Sequence, residues 1–67
     1  MGDDWIIVTE DEAERLYLYS HGQVESWVEN PRDATPYSNA GAKHVMRELG
    51  PRPGLRTVRR FEEIARA

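Results

Sequence analysis

The segment from Arg15 to Val28, RLYLYSHGQVESWV, constrains the fold more than any other part of this sequence. Aliphatic residues alternate with aromatic or polar residues on both sides of His21-Gly22-Gln23, and this period of two is typical of a strand with one buried face. Glycine in a short polar step is a common centre of a tight turn between strands. The pattern therefore predicts a β-hairpin.

The length of the turn decides which side chains share a face of this hairpin. A three-residue turn separates aliphatic from aromatic side chains, whereas a two-residue turn mixes them, so we expect three residues. The aliphatic face would then lie in the core and the rings would face water. The predicted inner face holds Leu16, Leu18, Val24 and Val28, and the outer face holds Tyr17, Tyr19, Glu25 and Trp27.

Three further elements are predicted along the chain. Asp4 to Thr9, DWIIVT, is rich in β-branched residues and predicts a first strand. Ser38 is a suitable N-cap for a helix over 39–49, followed by Gly50. Leu55 to Arg60 predicts a last strand, with a single helix from Leu55 onward as the alternative. The helix would place one apolar stripe on the sheet: Ala42, Val45, Met46 and Leu49.

These elements predict a single α+β domain over residues 1–67. Its order is β-β-β-α-β, a small antiparallel sheet of three to four strands covered on one face by a single helix. The sequence has no cysteine, which excludes disulfides and thiolate metal sites. No apolar run approaches the roughly 20 residues of a membrane span, and the acidic start is unlike a secretory signal. We therefore expect a cytoplasmic protein.

Charge is distributed unevenly between the two halves of the chain. Residues 1–33 carry nine acidic and two basic side chains, a net charge of −7, whereas residues 34–67 carry three acidic and seven basic ones, a net charge of +4. The halves could attract and solvate one another in the fold. Alternatively, the acidic half could form a surface for a basic partner.

Catalytic and metal-binding patterns are not found in the sequence. His21 and His44 are the two histidines, and neither has the neighbours of a catalytic triad or a metal site. The acids of Glu10 to Glu14 lack the glycine and ligand spacing of a calcium loop. We therefore predict a protein that is not an enzyme and needs no cofactor or metal.

The aromatic residues are the strongest candidates for a binding surface. One helix cannot bury both faces of the sheet, so some rings would stay exposed, and exposed tryptophan and tyrosine often anchor protein interfaces. The alternative is that the tryptophans close the edge of the core. Acidic neighbours would repel phosphates and argue against nucleic acid on this face. The predicted binding residues are Asp3, Asp4, Trp5, Glu10, Asp11, Glu12, Glu14, Tyr17, Tyr19, Glu25 and Trp27.

A second functional hypothesis uses the basic C-terminal half. A small nucleic-acid-binding regulator could present a basic patch across the last strand and the helix, although aromatic residues are not interleaved with the bases. An arginine-rich edge that discourages aggregation between strands is the structural alternative. The residues concerned are Lys43, Arg47, Arg52, Arg56, Arg59, Arg60 and Arg66.

Several short motifs in the middle of the chain resemble those of small β-β-β-α-β proteins common in phages and prophages. They are Trp27, Asn30-Pro31, Asp33-Ala34, Tyr37-Ser38, and Val45 through Glu48-Leu49-Gly50. The resemblance implies an inhibitor of a host complex acting by protein–protein contact in a bacterial cell. Anti-CRISPR proteins that block a nucleic-acid-binding effector subunit are one such class. The arginine-rich tail differs from an all-acidic DNA mimic, and a monomer and a homodimer are equally compatible with the sequence.

Overall fold

A computed structural model describes residues 3–52 and 54–66 of the chain. Within these residues, four strands, β1 (Trp5–Glu10), β2 (Arg15–His21), β3 (Val24–Val28) and β4 (Arg56–Arg59), form one antiparallel sheet in the order β3-β2-β1-β4. The α+β class and the order β-β-β-α-β predicted from the sequence are confirmed. The helices are a 3-10 helix (Pro31–Asp33) and α1 (Asn39–Leu49), both between β3 and β4, and α2 (Arg60–Arg66), which follows β4.

The hairpin of β2 and β3 has a two-residue turn, Gly22-Gln23, because His21 pairs with Val24. Gly22 has a φ of +61°, which glycine adopts without steric cost and which a type II′ turn requires at its first central position. The predicted three-residue turn is therefore wrong by one residue. Such a slip moves every side chain of one strand to the other face.

The corrected register separates residues that were expected to share a face. Leu18 pairs with Trp27, whereas Tyr17 pairs with Val28 on the opposite side of the sheet. Tyr17 is only 5% exposed, so the prediction that its ring faces water is wrong. The physical reason is that both faces of the sheet are covered, so burial does not separate aliphatic from aromatic side chains.

Two apolar clusters occupy the two faces. On the first face, Ile7 and Leu18 pack with Ala42 of α1, which confirms the predicted apolar stripe of that helix. On the second face, the cluster consists of Ile6, Val8, Tyr17 and Ala34. The predicted architecture had a single helix, whereas α2 adds a second helix on this side, where Glu63 accepts a hydrogen bond from Tyr17.

The last strand is shorter than predicted, and the alternative of one helix from Leu55 is wrong. Residues 56–59 pair with β1 from Val8 to Trp5. The helix begins at Arg60, directly after the strand.

β1 and β2 separate at one end of the sheet, and the segment before α1 lies between them. Their pairing runs from Glu10 with Arg15 to Val8 with Tyr17. Beyond this point, Trp5 exchanges two backbone hydrogen bonds with Tyr37, of 3.0 and 2.7 Å. The inserted segment thus replaces a direct contact between the two strands.

The same segment carries the chain from one side of the sheet to the other. Ala34 belongs to the cluster on the α2 side, whereas Tyr37 packs against the cluster under α1. Thr35 fixes the passage, because its amide donates to the Leu18 carbonyl at 3.0 Å. Its hydroxyl accepts from the Ser20 amide at 2.7 Å and donates to the Ser20 carbonyl at 3.0 Å. α1 consequently lies on the first face, and Ser38 caps its N-terminus by accepting a hydrogen bond from the Gly41 amide.

Candidate functional site

An open edge and a neighbouring recess form the strongest candidate site. β3 is an outer strand of the sheet, and its first three residues are exposed, with Val24 at 60%. A recess of about 390 Å³ lies between this hairpin and α1. It is lined by Ser20, Glu25, Tyr37, Val45, Glu48 and Leu49.

The recess combines an apolar lining with two carboxylates. Tyr37, Val45 and Leu49 are half-buried and pack against the cluster under α1, so they hold the lining in place. Glu25 on β3 and Glu48 on α1 are exposed. Such a site suits a long basic side chain, because its methylene stem can cover apolar surface while its charged end meets the carboxylates.

Among the residues that the structure describes, Glu48 contacts one side chain of opposite charge, His44. Its Oε1 lies 3.0 Å from Nε2 of His44, one helical turn earlier, and both side chains are mostly exposed. This contact becomes an ion pair only when the imidazole is protonated. An exposed pair of this kind contributes little to stability, so a cation from another molecule can replace it at small cost.

The four predicted aromatic residues do not form one surface. Trp5 and Trp27 both pack against the cluster under α1 and are half-buried. Each ring has a guanidinium over it: Arg59 lies 4.9 Å from the Trp5 centroid, and Arg52 lies 5.4 Å from that of Trp27. These contacts are cation–π interactions within the chain.

The tyrosines lie on the other side of the sheet. Tyr19 is 36% exposed and pairs with Ser26, whereas Tyr17 is buried. The predicted exposed face of Tyr17, Tyr19 and Trp27 is therefore wrong. A role of any one ring in binding stays a prediction.

Tyr17 belongs to a polar cluster that sequence analysis did not find. Glu63 of α2 is 4% exposed, and its Oε1 accepts hydrogen bonds from the Tyr17 hydroxyl at 2.9 Å and from Arg15 Nε at 3.0 Å. Arg15 Nη2 donates to the same oxygen. Arg66 Nη1 lies 3.6 Å from the other carboxylate oxygen. The buried acid is thus fully partnered, as buried charges in stable proteins are.

These contacts change the titration of the cluster. Burial by itself raises the pKa of Glu63, but the hydrogen bonds from Arg15 and Tyr17 outweigh it and hold that pKa below its ordinary value. Burial is also the main cause that raises the pKa of Tyr17. Partial burial by itself lowers the pKa of Arg15, but its hydrogen bonds with Glu63, Tyr17 and Glu10 outweigh burial and raise that pKa, so the guanidinium stays charged. The geometry is that of a structural ion pair between β2 and α2.

The acids of the β1–β2 turn have structural partners. Glu10 Oε1 accepts from Arg56 Nη2 at 3.1 Å and from Arg15 Nη1 at 2.8 Å, and these bonds lower the pKa of Glu10. Asp11 Oδ1 accepts from the amides of Glu14 and Ala13, at 2.9 and 2.8 Å, which lowers the pKa of Asp11. Within residues 3–52 and 54–66, no group of three acidic or histidine side chains is arranged to hold a metal ion.

The remaining predicted acids are distributed differently. Asp4 lies 3.6 Å from Arg59, and Asp3, Glu12 and Glu14 are exposed. Of the acids proposed for binding, Glu25 is the one that lines the recess. The N-terminal acids therefore pair in part with C-terminal arginines, which supports the interpretation that the two halves attract one another.

The basic set is largely engaged within the chain as well. Arg56 and Arg59 pair with acids of the N-terminal half, Arg66 pairs with Glu63, and Arg52 covers Trp27. Lys43 and Arg47 are exposed on α1. A continuous basic patch across the last strand is not favoured by this arrangement.

Sequence analysis found only part of the recess. Glu25 was predicted as a binding residue, whereas Glu48 was not. The contribution of Ser20 and Tyr37 depends on the two-residue turn and on the segment that passes between β1 and β2. No local pattern could have indicated either.

Comparison with known protein families, curated proteins and solved structures found no match to the chain. Among the described residues, no helix has the length and apolar character needed to cross a membrane.

Proposed function

We propose that the chain is a non-enzymatic binding protein that recognises a positively charged protein through the recess beside β3. The observation that supports this most directly is the position of Glu25 and Glu48 around an apolar lining formed by Tyr37, Val45 and Leu49. A lysine or arginine of a partner would bury its stem there and form charge-assisted hydrogen bonds with the carboxylates.

More specifically, we propose that the partner is a subunit of a host complex in a bacterial cell. This step rests on the resemblance to small phage and prophage proteins. A nucleic-acid-binding subunit, as blocked by anti-CRISPR proteins, has the basic surface that the recess requires. Complementary charge would accelerate association and exclude acidic partners.

A comparison of three immobilised proteins tests the proposal. The wild type is compared with Glu25→Lys/Glu48→Lys, which reverses the charge of the recess, and with Glu12→Lys/Glu62→Lys, which makes the same change at exposed acids elsewhere. We expect basic proteins from bacterial lysate to bind the wild type and the control at low salt, but not the recess variant.

Two results would contradict the proposed function. One is retention of the same bacterial proteins by the wild type and both variants, because binding would then be independent of the recess. The other is tight binding of duplex DNA without any protein partner, with an affinity that falls steeply as salt rises. That result would favour the nucleic-acid-binding hypothesis.

A further inference from the structure

The backbone of β3 carries hydrogen-bonding groups that point away from the sheet. On the neighbouring strand, the Leu18 carbonyl and both backbone groups of Ser20 bond Thr35, on the side opposite to β3. The pairs that Leu18 and Ser20 form with β3 are therefore the non-hydrogen-bonded pairs of the antiparallel ladder. Their partners are Trp27 and Glu25.

It follows that the amides and carbonyls of Glu25 and Trp27 face the open side of β3. Within the described part of the chain, no hydrogen bond from another segment reaches these four groups. Glu25 is exposed and Trp27 half-buried, so water can reach the edge. An edge of this kind is a template for a further strand.

The two edges of the sheet differ in how they are protected. β4, the other edge, has four residues and carries Arg56 and Arg59, which disfavour pairing with another strand. β3 has five residues, VESWV, without proline or lysine. Its glutamate would repel an acidic strand but attract a basic one.

We propose that β3 accepts an extended basic segment of the partner protein as an additional antiparallel strand. This inference rests on the proposed function and defines how the partner binds. A residue opposite Glu25 would project on the same side of the sheet as that side chain, next to the recess. In antiparallel pairing, the residue opposite Trp27 comes two positions earlier in the segment. The preferred motif is thus an apolar residue, any residue, and then arginine or lysine.

Charge favours such a segment over a second copy of this chain. Pairing β3 with itself about Ser26 would place Glu25 of each copy opposite Trp27 of the other. The interface would then bring together Glu25 and Glu48 from both copies, because both side chains line the recess beside this edge. A basic segment would neutralise these carboxylates instead.

The test uses the capped peptide TVTRT, in which valine and arginine would face Trp27 and Glu25. N-methylation of the backbone amide of the arginine removes a hydrogen bond to β3. N-methylation of the backbone amide of the central threonine is the control, because that nitrogen faces away from β3. TVTET reverses the charge. Binding is measured by NMR titration of backbone amides, and edge pairing by hydrogen exchange at Glu25 and Trp27.

We expect TVTRT and the threonine-methylated peptide to bind alike and to protect both amides. Arginine methylation should weaken binding by about tenfold, the effect of about 1.4 kcal/mol. If arginine methylation has no effect while Glu25→Gln weakens binding, strand addition is overturned but the basic recess remains. If TVTET binds as well as TVTRT, the basic partner itself is overturned.

Two further results would also reject strand addition. One is the absence of any amide shift with TVTRT at millimolar concentration. The other is a dimer in light scattering whose Glu25 and Trp27 amides are already protected without peptide, because the edge would then belong to a second copy.

Discussion

The Tyr17 hydroxyl donates a 2.9 Å hydrogen bond to Glu63 Oε1, across 46 residues of sequence. Arg15 donates to the same oxygen through Nε at 3.0 Å. Both donors lie on β2 and the acceptor lies on α2, so these bonds attach the C-terminal helix to the middle of the sheet. Since Glu63 is 4% exposed, its charge depends on these partners rather than on water.

We expect Glu63→Gln to lower the free energy of unfolding by about 2 kcal/mol, because hydrogen bonds to a buried charge are lost or weakened. Glu62→Gln is the matched control, since it changes the preceding, exposed residue of the same helix. Its effect should stay within about 0.5 kcal/mol. Urea unfolding followed by circular dichroism measures both. Equal effects of the two variants would contradict the assigned role of Glu63.

The same carboxylate predicts a dependence of stability on pH. Its pKa in the fold lies below the ordinary value of 4.5, so the ionised form stabilises the native state. The contribution is complete above pH 4.5 and is lost as pH falls through the lowered pKa. Glu10 and Asp11, whose pKa values are also lowered, act in the same direction.

The pH prediction is checked by comparing wild type with Glu63→Gln. The difference in their free energies of unfolding should shrink as the pH falls below 4.5. A difference that stays constant over this range would show that the pKa of Glu63 is the same in the native and unfolded states.

The sequence predicted the strand and helix order because those elements have strong local patterns. The alternation of RLYLYS, the serine cap of α1 and the glycine after Leu49 each act within a few residues. The predicted turn length was wrong because it was chosen to bury a single face of the hairpin. α2 covers the second face through Glu63, and an acidic residue in a short segment gives no hydrophobic signal of burial.

The candidate site was predicted less completely than the fold. Glu25 could be identified from its place among exposed residues of the hairpin. The recess, however, needs α1 beside β3, and that arrangement follows from Thr35 and Tyr37 passing between β1 and β2. Such an insertion depends on contacts between distant segments, so periodicity cannot predict it.

Thr35→Val tests the importance of this passage. Valine has the shape of threonine but cannot replace the two hydrogen bonds to Ser20, of 2.7 and 3.0 Å. We expect the variant to lose about 1 to 3 kcal/mol of stability, since backbone groups of Ser20 would be left unpaired. Thr57→Val, the same change in β4, should have a small or stabilising effect because valine favours strands. Thermal melting of both variants provides the comparison, and similar melting temperatures would contradict the prediction.

Trp27→Ala distinguishes a structural tryptophan from an interface anchor. The sequence placed this ring in water, where truncation would mainly weaken partner binding, but the structure packs it against the cluster of Ile7, Leu18 and Ala42. We now expect a loss of stability of about 2 to 3 kcal/mol, somewhat less than for a fully buried ring. For a chain of this size such a loss is a large part of the total. Phe61→Ala truncates a ring that is 60% exposed and should cost less than about 1 kcal/mol. If chemical unfolding shows that the Trp27 variant is as stable as the Phe61 variant, the ring does not support the core, and its role in binding a partner becomes the better explanation.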